Sequence, residues 1–244
     1  MANDAILATG QIRAAALSRP VVSLSSTVDT STHMIRDLPG IKQLTRVIGL
    51  APKETAGHFR QFLLDMLPRH SVGAEIGVLS GNFSKQVLDS ISPRQLHLID
   101  PWEHQTSGEY KDAWYGGAAK RGQAEMDERY ADVLTRFKRK IRSGQVQVHR
   151  GYSAAVLEQF PDHFFDWVYI DGNHLYEYVK KDLELSLRKV KLGGYITGDD
   201  YTEGGWWEGG VKKAVDELAE NPAVQLLELR DSQFVFLNKG SAAA

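Results

Sequence analysis

From Ser71 onward, short apolar runs alternate with stretches of helical periodicity, and few folds accommodate that alternation. Runs at 72–77, 95–100, 146–149, 166–171 and 195–199 have the length and apolar content of buried strands. Between them, Phe83, Val87, Leu88 and Ile91 fall on one helical face, as do Val179, Leu183, Leu187 and Val190. Gly193-Gly194 is read as the end of the second helix, and Val211, Ala214, Val215 and Leu218 mark a further one. Strands that alternate with helices predict an α/β fold, a mostly parallel sheet covered on both faces. Runs at 224–229 and 233–237 are close enough to form a C-terminal antiparallel hairpin, bringing the expected sheet to seven strands.

Other parts of the chain are less regular. Residues 1–35 are rich in Ala, Ser and Thr without sustained periodicity, and read as an arm. Phe59, Phe62, Leu63 and Met66 predict a cap helix over 53–67, ahead of Pro68. The expected division is therefore an arm with cap helices over 1–70, the sheet domain over 71–240 and a tail over 241–244. The segment 103–144 is longer than a simple connection, and Met126, Tyr130, Val133, Leu134 and Phe137 make it a helical insertion, a candidate lid or homo-oligomer contact.

Lysine and arginine total 29 against 31 acidic residues, so no strong field argues for nucleic acid or an anionic membrane as partner. The absence of cysteine removes disulfides, thiolate metal sites and cysteine nucleophiles together. No signal peptide or spanning segment is visible, so a cytoplasmic location and a small-molecule partner are the expectation.

Ligands of open α/β sheets bind beyond the carboxyl ends of the strands, and here those ends are polar. The first is followed by Glu75-Ile76-Gly77 and, after three residues, Gly81 and then Ser84. The glycines allow close backbone approach to a ligand, and Glu75 suits one that carries an ammonium group. The spacing is not the G-x-G-x-x-G of dinucleotide binders, which weighs against an oxidoreductase. Asp100, with Pro101 and Trp102 behind it, ends the second strand where a carboxylate can accept bonds from ribose hydroxyls. After the third strand, Gly151-Tyr152-Ser153 is either an adenine contact or a plain turn. Asp171-Gly172-Asn173-His174 follows the fourth strand and Asp199-Asp200 the fifth. Three carboxylates converging there would repel without a cation between them, and oxygen ligands suit Mg²⁺. Such an ion lowers the pKa of a substrate hydroxyl, and His174 is the candidate base. Trp206 and Trp207 could wall the same site or simply pack.

Taken together, Glu75-x-Gly77-x-x-x-Gly81-x-x-Ser84, Asp100, the run from Ile170 through Asp171 and His174 to Glu177, and the run from Gly193 to Asp200 resemble a known family. It is the class I S-adenosylmethionine-dependent methyltransferases of the macrocin O-methyltransferase type, which methylate sugar hydroxyls with the help of a metal. The resemblance covers about residues 70 to 240. It implies a Rossmann-like sheet, with Glu75, Gly77 and Gly81 at the methionine end of the cofactor and Asp100 at its ribose; Ser84 and Trp102 are further expected cofactor-binding residues. Ser153 and Asp171 complete the implied cofactor site. It further implies Asp171, Asp199 and Asp200 as ligands of Mg²⁺, and Asp171 with His174 as catalytic residues. Where several relatives carry an acidic residue, this chain has Asn173, which cannot serve as a base. The expected activity is O-methylation of a small-molecule hydroxyl; the alternative is metal-independent N-methylation of an amine.

Overall fold

A computed structural model describes residues 60–240 of the chain. Within them lies a single seven-stranded sheet of order β3-β2-β1-β4-β5-β7-β6. The strands are β1 (Val72–Ile76), β2 (Gln95–Asp100), β3 (Val146–Arg150), β4 (Phe165–Ile170), β5 (Val190–Gly198), β6 (Val224–Arg230) and β7 (Gln233–Asn238). The first five run parallel, and β7 lies antiparallel between β5 and β6. The C-terminal pair is a hairpin as expected, but its second strand, not its first, docks onto β5. That choice follows from composition: Phe234, Val235 and Phe236 of β7 are fully buried, whereas Leu226, Leu227 and Leu229 leave β6 partly exposed as the edge.

The central strands β1, β2 and β4 are buried on both faces, and their alternate residues feed two cores. On one face, Leu96, Leu98, Trp167, Tyr169 and Val235 pack under α1 (Gln61–Met66), α2 (Asn82–Ser90) and α3 (Gln123–Arg136). On the other, Ala74, Ile76, Val168, Ile170 and Ile196 pack under α5 (Ser153–Leu157), α6 (Tyr176–Lys189) and α7 (Gly210–Ala219). A short α4 (Lys138–Arg142) leads into β3. Helices on both sides cover the centre of the parallel sheet, and its edge strand β3 stays partly exposed.

Three expectations change in detail. The helix before Pro68 belongs to the compact unit Thr55–Ala244, because Leu63, Leu64 and Leu67 are buried in its core; residues 53–59 of that expected helix, the arm over 1–35 and the tail over 241–244 lie outside the described residues. The sequence Gly193-Gly194 does not end a helix. Helix α6 stops at Lys189, and the glycines sit inside β5, where pairing jumps from Phe165↔Val190 to Trp167↔Tyr195. Finally, the insertion at 103–144 has two parts. Met126, Val133 and Phe137 make its helical half a layer of the core, while 103–122 is an irregular loop with one 3₁₀ turn (Gly108–Tyr110). Among the described residues no helix is long and apolar enough to cross a membrane.

Candidate active site

Beyond the carboxyl ends of β1, β2, β4 and β5 opens a cavity of about 490 Å³. Backbone bonds that continue the ladders past the strands hold its floor together. Gly77 N–H donates to the Ile99 carbonyl at 2.9 Å, Asp171 N–H to Ile76 at 2.8 Å and Asp199 N–H to Ile170 at 3.1 Å. The turn after β1 depends on Gly77. Its φ is +85°, and a Cβ there would lie 1.8 Å from the Asp171 carbonyl oxygen. Gly81, also left-handed, caps α2 against the ring of Phe137.

Asp100 is buried and heavily engaged by its own chain. Its Oδ2 accepts the N–H groups of Val78 at 2.8 Å and Leu79 at 3.0 Å, and the Tyr115 hydroxyl also donates to it. Oδ1 accepts the Trp102 N–H at 2.7 Å. These bonds stabilise the carboxylate, but burial outweighs them and its pKa lies above the ordinary value. Glu75 is 1% exposed and its Oε2 has no hydrogen-bond partner among the described residues. Burial pushes its carboxyl up to about 8, although Ser84 and Arg60 pull the other way. Without a cationic ligand, such a group is held neutral at ordinary pH.

The β4–β5 end is more crowded with charge. His174 Nε2 lies 3.5 Å from Asp171 Oδ1 and 3.3 Å from Asp200 Oδ2. One donor atom from each of these three residues lies within 4.8 Å of the others, a grouping that could hold a metal ion. Both ring nitrogens of His174 are buried with no hydrogen-bond partner among the described residues. Burial disfavours its charged form, but Asp171, Asp200 and Asp199 outweigh that and raise its pKa. Asp200 holds a left-handed φ of 63°, a conformation costly for a non-glycine residue and common at functional turns. Burial pushes its carboxyl up to about 6, with His174 opposing and Asp171 adding to the rise. Asp199 faces elsewhere. Its Oδ2 pairs with Arg60, and its Oδ1 accepts Ser232 Oγ at 2.9 Å and Asp200 N–H at 2.8 Å.

Aromatic side chains form the mouth. Trp206 stacks on His174 at 5.8 Å, and Trp207 meets it edge-on at 4.7 Å. Tyr110 leans on Trp206, while Trp114, Tyr152 and Tyr178 stand exposed at the rim.

Of the residues singled out from sequence, Glu75, Gly77, Asp100, Ser153, Asp171, His174, Asp199 and Asp200 all line this one cavity. Gly81, Ser84 and Trp102 do not. Ser84 lies buried behind the wall, and the Trp102 indole turns into the core, packs on Tyr130 and donates Nε1–H to the Leu79 carbonyl at 2.9 Å. They shape the wall without facing the cavity. Asn173 is spent on structure: it donates to the Tyr110 hydroxyl at 2.8 Å and accepts Leu175 N–H at 3.0 Å. Sequence reading missed Arg60 and Tyr115. Neither sits in a motif, and both reach the site only because a distant segment folds over it.

Residues 74–201 match the family model described as a methyltransferase domain. That match spans more than half of the 244 residues, so the chain belongs to this family; it is an S-adenosylmethionine-dependent methyltransferase. Among solved structures it is similar to the O-methyltransferase from Bacillus cereus in complex with SAH, at 15% identity over 88% of this chain and 94% of that one, TM-score 0.53. It is similar also to cofactor-bound Rv0187 from MTB, at 15% identity over 87% and 97%, TM-score 0.55. A third is the O-methyltransferase NovP, at 21% identity over 74% and 76%, TM-score 0.50. At such identities the likeness is one of fold. No curated protein matches the chain.

Proposed function

We propose that this enzyme methylates a hydroxyl oxygen of a small molecule, a sugar or a natural-product intermediate, and that Mg²⁺ assists it. The observation that carries this reading is the convergence of Asp171, His174 and Asp200 on the cavity floor. Two carboxylates face an imidazole whose buried nitrogens have no hydrogen-bond partner, an arrangement that calls for a proton or a cation among them. This donor set fits a divalent ion. Because Mg²⁺ prefers oxygen and keeps several waters, Asp171 and Asp200 would hold it, leaving His174 Nε2 for proton transfer. When bound, the ion would lower the pKa of an acceptor hydroxyl.

The chain's own residues supply the rest. Glu75 Oε2, buried at the end of β1, takes the ammonium group of the cofactor, whose charge draws the carboxyl back to its ionised form. Asp100 orients the ribose through the remaining lone pair of Oδ1, which accepts only the Trp102 N–H among the described residues while Oδ2 accepts three donors, and Ser153 stands at the adenine side. The sulfonium methyl then faces the acceptor oxygen. The C–S bond breaks as the O–C bond forms, and His174 Nε2 takes the hydroxyl proton. Trp206 and Trp207 pack around His174 and exclude water, while the aromatic rim offers flat surfaces to a sugar or phenol ring.

Calorimetry with S-adenosylhomocysteine, followed by Mg²⁺, tests this on the wild type and Asp200→Asn. The expected result is cofactor-product binding to both and an Mg²⁺ isotherm in the wild type alone. Acceptor screens should then find transfer to sugars or phenols that a chelator abolishes. A wild type that never binds Mg²⁺ would remove the ion from the mechanism. Chelator-insensitive transfer to an amine would replace the hydroxyl reading.

A further inference from the structure

The cation seat already contains a positive charge that belongs to the protein. Arg60, immediately before α1, extends its guanidinium between two of the three carboxylates. Nη2 donates to Asp171 Oδ2 at 3.1 Å and to Asp199 Oδ2. The same group lies 4.9 Å from the centre of the Phe83 ring and 5.4 Å from that of Tyr169, with the side chain only 16% exposed. Buried aromatic faces and paired carboxylates hold a guanidinium in one place, because each interaction is strongest where water is excluded.

We propose that Arg60 is a positioning residue that acts as the resident cation of the seat. It withdraws Asp199 from the metal and limits the seat to one weakly held divalent ion on Asp171 and Asp200. The inference rests on the cation reading above and specifies how that site is set.

Two independent observations support it. The first is hydrogen-bond capacity. Asp199 has Arg60 on Oδ2, and Ser232 and the Asp200 backbone on Oδ1, so both oxygens are engaged by the protein. Among the described residues, Asp171 Oδ1 and Asp200 Oδ2 each have His174 as their charged neighbour. The three carboxylates thus differ: Asp199 is engaged on both oxygens, Asp171 is held by Arg60 on Oδ2 and keeps Oδ1 toward His174, and Asp200 keeps Oδ2 toward His174. The second observation is charge. Arg60 sets a positive charge against Asp171 and Asp199, which lowers the negative charge that a divalent ion meets there. Without Arg60 the seat would be more negative and would gain a third carboxylate ligand. Metal and Arg60 therefore compete for the same carboxylates, and an ion can reach Asp199 only if the guanidinium leaves.

Mg²⁺ calorimetry on the full chain, in the presence of S-adenosylhomocysteine, tests this with wild type, Arg60→Met, Asp199→Asn and the double variant. Arg60→Met should tighten Mg²⁺ binding by about tenfold or more, because a cation is removed from the seat. Asp199→Asn should change wild-type Mg²⁺ affinity by less than about twofold, yet cancel the gain when added to Arg60→Met. Arg60→Lys, which keeps the charge without the fork, should fall between wild type and Arg60→Met. If Arg60→Met does not fold, Asp199→Asn in the wild-type background decides: unchanged affinity supports the inference, and lost binding overturns it. Equal or weaker Mg²⁺ binding by folded Arg60→Met also overturns it. The outcomes separate from those of the previous section. A wild type without Mg²⁺ binding beside an Arg60→Met that binds it would sink the ion's part in catalysis and uphold Arg60. S-adenosylhomocysteine binding in every sample shows that the cofactor half is intact.

Discussion

The two ends of the cavity treat their acids in opposite ways. At the β1–β2 end, Asp100 receives three backbone N–H groups and a tyrosine hydroxyl, so it is built into the turn as a fixed clamp. At the β4–β5 end, Asp171 and Asp200 face a histidine whose nitrogens have no hydrogen-bond partner. A saturated carboxylate gives rigidity, since its oxygens have few places left for a ligand. An unsaturated pair stores unmet electrostatic demand, and a ligand is what meets it. Glu75 belongs by position to the first end and by chemistry to the second, because its Oε2 is buried and unpartnered.

Substitutions can break this contrast, and the largest effect is expected where the two ends touch. Gly77→Ala would drive a methyl group into the Asp171 carbonyl oxygen, and it would do so from a left-handed backbone. A loss of about 3 kcal/mol or more in urea denaturation should accompany the loss of S-adenosylhomocysteine binding. Retained binding would mean that the ends are not locked to one another.

Asp100→Asn keeps the shape but can present an N–H₂ group to the Val78 and Leu79 N–H donors. It should cost about 2 kcal/mol of stability, because buried donors are left unpaired. An unchanged midpoint would show that Asp100 is not a clamp.

Glu75→Gln should do the reverse, weakening S-adenosylhomocysteine about tenfold while leaving stability at pH 8 equal or higher. Linkage adds a pH signature. The folded pKa of about 8 exceeds the 4.5 of an ordinary glutamate. Across that interval the folded chain keeps a proton that the unfolded chain has lost. Stability of the ligand-free protein should therefore fall as pH rises from about 4.5 to about 8, and Glu75→Gln should flatten that slope in denaturation curves taken at several pH values. A slope unaltered by the substitution would assign it to other groups.

Tyr115→Phe removes one of four donors from Asp100. It should cost about 1 kcal/mol, the smallest effect of the series, measured by the same denaturation. A larger cost would make the 103–122 loop a structural part of the clamp rather than a cover over it.

How much of this is legible beforehand depends on the range of the signal. The strands and their order of appearance could be read because period and composition are local properties, and runs such as those of β2 and β4 allow little else. The strand-end acids could be read because a parallel sheet delivers the residue after each strand to one edge. What escaped were contacts between remote segments. Nothing near Arg60 indicates that it will reach Asp171 and Asp199, and nothing near Tyr115 points to Asp100. The placing of the acids in the expected metal triad has the same origin. Asp199 and Asp200 are neighbours in the chain, yet backbone direction at that turn sends one toward Arg60 and Ser232 and the other toward His174.

By itself, then, the sequence determined the layered sheet, the glycine turn after β1 and the inventory of acids at the strand ends, because these follow from short-range periodicity and the geometry of a parallel sheet. Only the tertiary structure decided which acids are saturated and which are left open, which strand of the C-terminal pair docks on β5, and that an arginine joins the site. Hydrogen-bond saturation and charge balance are sums over neighbours in space, and chain order does not list those neighbours.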